Sequence, residues 1–84
     1  MKQVNVKYFA WVRERIGKSS ERVETNAETV RQLVVELGER EPRYELAFSD
    51  LASLRVAVNH VLADFDSRLE NGAEIAFFPP MTGG

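Results

Sequence analysis

The segment beginning at Thr29 has the pattern of an amphipathic helix, and it dictates what the rest of the chain must supply. Thr29-x-x-Gln32 has capping-box spacing: the threonine hydroxyl can take an orphan amide proton while Gln32 reaches back toward the cap. Val30, Leu33, Val34 and Leu37 then follow at i, i+3, i+4 and i+7, opposite Arg31, Glu36 and Glu39. The helix ends either at Gly38 or at the Glu41-Pro42 step. A helix with one apolar stripe needs a second layer to cover it.

The flanking segments alternate with the period of half-buried strands. Val4, Val6 and Tyr8 share one parity with Asn5 and Lys7 on the other, and Phe9 falls on the polar parity. Ala10 to Ile16 is short and charged, a brief helical turn closed by Gly17-Lys18-Ser19-Ser20. Ser20 to Thr25 returns as a second strand in a hairpin with the first. Arg43 to Asp50 reads as a short helix or a packed loop. Leu54, Val56 and Val58 alternate into an Asn59-His60 turn and a short strand at Val61 to Ala63. Asn71-Gly72 signals a turn before the last strand, Glu74 to Phe78, where Ile75 and Phe77 share one face and Phe78 takes the other. Strand, strand, helix, strand, strand, strand describes an α+β arrangement, a mixed sheet with one main helix packed on one face.

Composition narrows the function. In 84 residues there is room for one domain, and the net charge of -2 gives no basic field for nucleic acid or anionic lipid. No apolar run approaches the roughly 20 residues that span a bilayer, and the expected location is cytoplasmic. Cysteine is absent, and His60 is the single histidine, so thiolate metal sites, a cysteine nucleophile and a histidine cluster are all excluded. No internal catalytic residue and no bound metal is expected.

Beyond the last strand the chain reads Pro79-Pro80-Met81-Thr82-Gly83-Gly84. Two prolines keep such a segment extended, and two glycines leave its end without side chains. At roughly 3.1 Å per residue, Pro79 to Gly84 reaches about 19 Å, enough to enter another protein's pocket. The expected division is a domain over 1–78 and a tail over 79–84. Chemistry on an α-carboxylate in a narrow channel favours glycine, and a carboxylate becomes an electrophile only after activation. An ATP-using partner that makes an acyl-adenylate is therefore implied, after which a sulfur nucleophile can take the acyl group.

Phe77-Phe78-Pro79-Pro80-Met81-Thr82-Gly83-Gly84, preceded by Leu69 to Ala76, closely resembles the C-terminus of the small, MoaD-type subunits of molybdopterin synthase. The resemblance extends to Tyr8-Phe9-Ala10-x-Val12-Arg13-Glu14, Thr29-Val30-x-x-Leu33 and Val56-Ala57-Val58-Asn59, covering the whole chain in order. One departure is Ala73, where the family often has aspartate. The resemblance implies a ubiquitin-like β-grasp fold. It implies that an adenylating enzyme of the ubiquitin-activating type converts Gly84 to an acyl-adenylate and then to a thiocarboxylate. It further implies that the tail, Pro79, Pro80, Met81, Thr82 and Gly83 included, enters the large catalytic subunit, where the sulfur passes to cyclic pyranopterin monophosphate.

In a β-grasp sheet the first and last strands are neighbours, so Phe9 and Phe78 would form an exposed aromatic patch, extended by Leu62, as a partner interface. Arg13, Glu14 and His60 read as solvated surface, and Asp64, Asp66 and Glu70 as a solvated loop without calcium-loop spacing. Trp11 and Lys18 carry no assigned role. Two other readings use the same terminus: a ubiquitin-like modifier joined through Gly84 to lysines, and a sulfur carrier of the thiamin-thiazole type. A plain interaction domain with an incidental tail is a third.

Overall fold

A computed structural model describes residues 1–80 of the chain. Five strands, β1 (Lys2–Tyr8), β2 (Ser20–Thr25), β3 (Arg55–Val58), β4 (Val61–Ala63) and β5 (Glu74–Phe78), form one sheet in the order β2-β1-β5-β3-β4. The β1–β5 pair is parallel and the other pairs are antiparallel. Three helices, α1 (Ala10–Ile16), α2 (Val30–Arg40) and α3 (Pro42–Ala47), and a 3-10 turn at Leu51–Ser53 complete it. This is the ubiquitin-like β-grasp that the resemblance implies, and the mixed α+β sheet that the alternation predicts.

One core joins the layers. Val4, Val6 and Tyr8 of β1, Ile75 and Phe77 of β5 and Val56 of β3 meet Val30, Leu33, Val34 and Leu37 of α2. Val12 and Ile16 of α1 and Tyr44 and Ala47 of α3 close the same cluster. The period-2 and period-3.6 patterns therefore face each other, as burial of both stripes requires.

Two local details differ from the sequence reading, in α1 and in the cap of α2, and two alternatives that it left open are decided. Helix α1 is a full seven-residue helix rather than a single turn, ended by Gly17 in the left-handed region at φ 85°. Helix α2 runs through Gly38 and stops at Glu41-Pro42. Gly38 instead lies beside α3, where a β-carbon would sit 3.7 Å from the Glu45 Cα. Thr29 Oγ1 does accept from the Gln32 backbone amide at 3.2 Å, but the Gln32 side-chain Oε1 accepts from the Glu28 amide at 2.8 Å rather than from that of Thr29. The same residues pair with the loop that follows β4: Thr29 lies opposite Arg68 in an antiparallel bridge whose bonds are made by its neighbours, the Val30 amide to the Ser67 carbonyl and the Leu69 amide to the Glu28 carbonyl. Finally, Arg43 to Asp50 resolves into α3, which starts at Pro42.

The Asp64 to Leu69 loop has a structural task as well as solvated carboxylates. Its Ser67 and Phe65 carbonyls accept from the Val30 and Arg31 amides, which satisfies donors that the first turn of α2 leaves orphaned. Asp66 pairs with Arg31 at 2.9 Å on the surface. No helix among the described residues is long and apolar enough to cross a membrane.

Candidate docking face and tail root

All three helices pack into the core on one side of the sheet, and the alternation of the central strands decides what the other side shows. Opposite Val6 and Tyr8, β1 presents Asn5 and Lys7, and Phe9 continues that parity in extended backbone at φ -125° and ψ 155°. Glu74, Ala76 and Phe78 of β5 fall on the same side, since Ile75 and Phe77 are fully buried. The register lines up Lys7, Ala76, Ala57 and Leu62 in one row. A second row holds Phe78 beside Arg55, with Phe9 one step past the Tyr8–Phe77 pair.

The two alanines are small, which leaves Leu62 standing 70% exposed, and Phe9 is 48% exposed. Phe78 is half-buried. The three residues picked out from the sequence as an interface are thus brought onto one open face around Ala57 and Ala76, an apolar area ringed by charge. Along its polar border the Glu74 carboxylate lies 3.2 Å from Lys7 Nζ, as an ion pair, and 3.1 Å from His60 Nε2. His60 and Asn59 both have positive φ, 71° and 51°, as a tight hairpin turn requires, and Asn59 Oδ1 accepts from the Glu74 amide. Arg13 and Glu14 lie exposed on α1, away from this face.

Below the face, the strand that leads to the tail is anchored by aromatic rings. Phe77 stacks against Tyr8 at 6.2 Å and Phe65 at 6.5 Å, and meets Phe48 edge-on at 4.9 Å. Pro79 and Pro80 follow half-buried. Met81, Thr82, Gly83 and Gly84, the remaining tail residues named from the sequence, lie outside the described residues.

A cluster that the sequence reading missed holds this root in place. Glu21 Oε2 accepts from Tyr8 Oη at 2.7 Å and from Tyr44 Oη at 2.6 Å, while Oε1 meets Lys18 Nζ at 3.2 Å. One carboxylate therefore ties β1, α3 and the turn before β2 together. Burial pushes the Glu21 carboxyl up, but the hydrogen bonds from Tyr44, Tyr8 and Lys18 outweigh it and leave the group below its ordinary value. Burial, then the bond to Glu21, raises both phenols, Tyr44 to about 12 and Tyr8 further. The available signal was Tyr8 itself: a tyrosine on the buried parity of a strand needs a partner for its hydroxyl.

Among the described residues, no group of three or more His, Asp or Glu side chains is placed to hold a metal ion. What the described residues offer is an open apolar sheet face and a central strand that leads into Pro79 and Pro80.

Comparison with known proteins agrees with this geometry. Residues 6–84 match the family model described as the ThiS family. The molybdopterin synthase sulfur carrier subunit of Escherichia coli K12 is 41% identical over 81 residues, covering 96% of this chain and 99% of the relative. That of Haemophilus influenzae is 38% identical over the same coverage. Among solved structures, H. volcanii small archaeal modifier protein 1 superposes with a TM-score of 0.80 at 25% identity, covering 96% of this chain and all of that one.

Proposed function

Because the chain belongs to the ThiS family, we propose that it works as the sulfur carrier subunit of a molybdopterin synthase, holding sulfur as a thiocarboxylate on Gly84. The observation that carries this reading is the 41% identity to a sulfur carrier subunit along nearly the whole length of both chains. The Gly84 carboxylate attacks the α-phosphate of ATP on a separate adenylating enzyme, releasing pyrophosphate and forming an acyl-adenylate. A sulfur donor then displaces AMP. In the large synthase subunit the sulfur passes to cyclic pyranopterin monophosphate, and water restores the carboxylate.

In this scheme the chain itself binds and positions, and catalytic groups belong to the large subunit. Phe9, Phe78 and Leu62 dock on partners. Pro79, Pro80, Met81, Thr82 and Gly83 form the inserted tail. The sequence has no cysteine, so no side-chain thiol competes for the sulfur. ATP is consumed by the activating partner, no cofactor stays bound to the carrier, and the work is done in the cytoplasm.

Intact-mass measurement after incubation with the activating enzyme, ATP and a sulfur source tests the proposal. The expected result is a gain equal to the replacement of one oxygen by sulfur, abolished by deletion of Gly84; an unchanged mass refutes it. The likeness to an archaeal modifier protein motivates a second reading, in which Gly84 is joined to lysines of other proteins. ATP-dependent conjugates of higher mass on a denaturing gel would favour that one.

A further inference from the structure

The path of the backbone out of β1 contains a strained residue directly behind the docking face. Ala10 has φ 53°, in the left-handed region where a β-carbon crowds the following carbonyl. The other positive-φ residues among those described have local reasons: Gly17 ends α1, Gly72 forms the turn after Asn71, and Asn59 with His60 makes the β3–β4 hairpin turn. Ala10 is neither glycine nor a polar residue that favours this region, and its side chain is exposed, so core packing does not demand the methyl group. Such a conformation persists only where the surroundings over-determine it.

Those surroundings are the bonds of Phe9. Its amide donates to the Phe77 carbonyl at 3.1 Å, and its own carbonyl accepts from Val12 at 3.1 Å and Arg13 at 3.4 Å. On one side Tyr8 is buried and held by Glu21; on the other, Val12 is fully buried at the start of α1. Between these two inward anchors the chain must leave an extended strand, keep Phe9 on the opposite face, and enter a helix on the core side. The left-handed residue makes that reversal in a single step.

We infer that Ala10 is a positioning residue: its left-handed backbone fixes Phe9 on the open sheet face before any partner arrives. This rests on the reading of Phe9 as a docking residue. For an alanine the left-handed well is narrow, whereas glycine at the same φ has a broad range. Alanine therefore narrows the swing of the Phe9–Ala10 peptide, and with it the backbone from which the Phe9 side chain stands, at the cost of strain in the free carrier. A side chain already ordered loses less freedom on binding, and the gain is realised as affinity.

The test uses the full chain and the large molybdopterin synthase subunit of the same organism, with affinity read by calorimetry and stability by denaturant unfolding. Ala10→Gly relieves strain, so it should unfold no more readily than the unaltered chain, yet bind about three- to tenfold more weakly because Phe9 is less confined. D-alanine at position 10, introduced by chemical synthesis, favours the same backbone without strain. It should retain full affinity and raise the folded-to-unfolded ratio by about 5–30-fold. Phe9→Ala is the control on the premise. If it binds as tightly as the unaltered chain, the docking reading falls and this inference with it. If Phe9→Ala weakens binding but Ala10→Gly does not, the inference alone is overturned. A D-alanine chain that is less stable or binds more weakly than the unaltered one overturns it equally.

Discussion

Replacing Glu21 by alanine should be among the most damaging changes to a partly exposed side chain in this domain, and the loss can be worked from the structure. The substitution removes the shared acceptor of Tyr8 and Tyr44, whose hydroxyls donate at 2.7 and 2.6 Å from rings that are almost fully buried. A hydrogen bond to a charged group contributes about 1.5–3 kcal/mol, and a stranded buried hydroxyl loses much of that. Because water can reach part of the vacated site, the two together should cost about 3–4 kcal/mol. A chain of this length has about 4–13 kcal/mol of stability in total, so Glu21→Ala sits near the edge of folding. Glu21→Gln is the informative companion, since an amide oxygen can still accept from both phenols; it should cost no more than about 1.5 kcal/mol. Urea unfolding of both variants, with Tyr8→Phe and Tyr44→Phe, measures the set. The acid dependence has a definite sign. The Glu21 carboxyl lies below its ordinary 4.5 in the folded chain. Its ionic contribution is therefore fully present above that value and is lost as pH falls through the lower folded value. The advantage of the native chain over Glu21→Gln should shrink as acid is added. If alanine costs no more than glutamine at neutral pH, or the gap does not change with acid, the carboxylate does not hold the cluster together.

The two glycines at Gly38 and Gly72 should respond in opposite directions. Gly38→Ala places a methyl at ordinary contact distance, 3.7 Å from the Glu45 Cα, and should stabilise α2 by about 0.5–1 kcal/mol in thermal or urea unfolding. Gly72→Ala meets nothing within 4 Å but must adopt φ 84°, and should cost about 1–2 kcal/mol. Leu62→Asp should leave stability nearly unchanged, because the side chain is 70% exposed, while weakening the large subunit's binding at least about tenfold if it joins a desolvated interface. Phe77→Ala should cost about 3–5 kcal/mol, measured by the same unfolding assay, since it removes the ring on which Tyr8, Phe48 and Phe65 converge.

How much could be read from residues alone follows from the range of each interaction. Strand parity is local, so Val4, Val6 and Tyr8 could be placed inward and Phe9 outward, and the same logic separated Phe77 from Phe78. The cap at Thr29 is equally local and was legible. The target of Gln32, the Glu28 amide one residue before the expected one, was not. Likewise Glu21 reads as an ordinary charged residue until α3 brings Tyr44 against it, 23 positions away. Ala10 carries no sequence signal of a left-handed backbone at all; that conformation belongs to the turn from β1 into α1, between the buried Tyr8 and Val12. Gly38 left the end of α2 open between two positions, since a glycine that suits a helix end also suits a close helix crossing.

The order β2-β1-β5-β3-β4 has a consequence for how this protein comes into being. The last strand in the chain lies between β1 and β3, so during synthesis the two hairpins β1–β2 and β3–β4 have no seam until Phe78 has been made. The parallel β1–β5 pairing joins residues such as Val6 and Ile75, nearly the whole domain apart, and such non-local closure slows folding. A nascent chain lacking β5 keeps the buried edges of both hairpins unpaired, a state open to wrong strand pairing or capture by a chaperone. Completion of the sheet is thereby tied to the arrival of the strand that leads into Pro79 and Pro80. A carrier truncated before that strand would lack both the connection to its tail and the central strand of the sheet, so quality control could recognise it as unfolded.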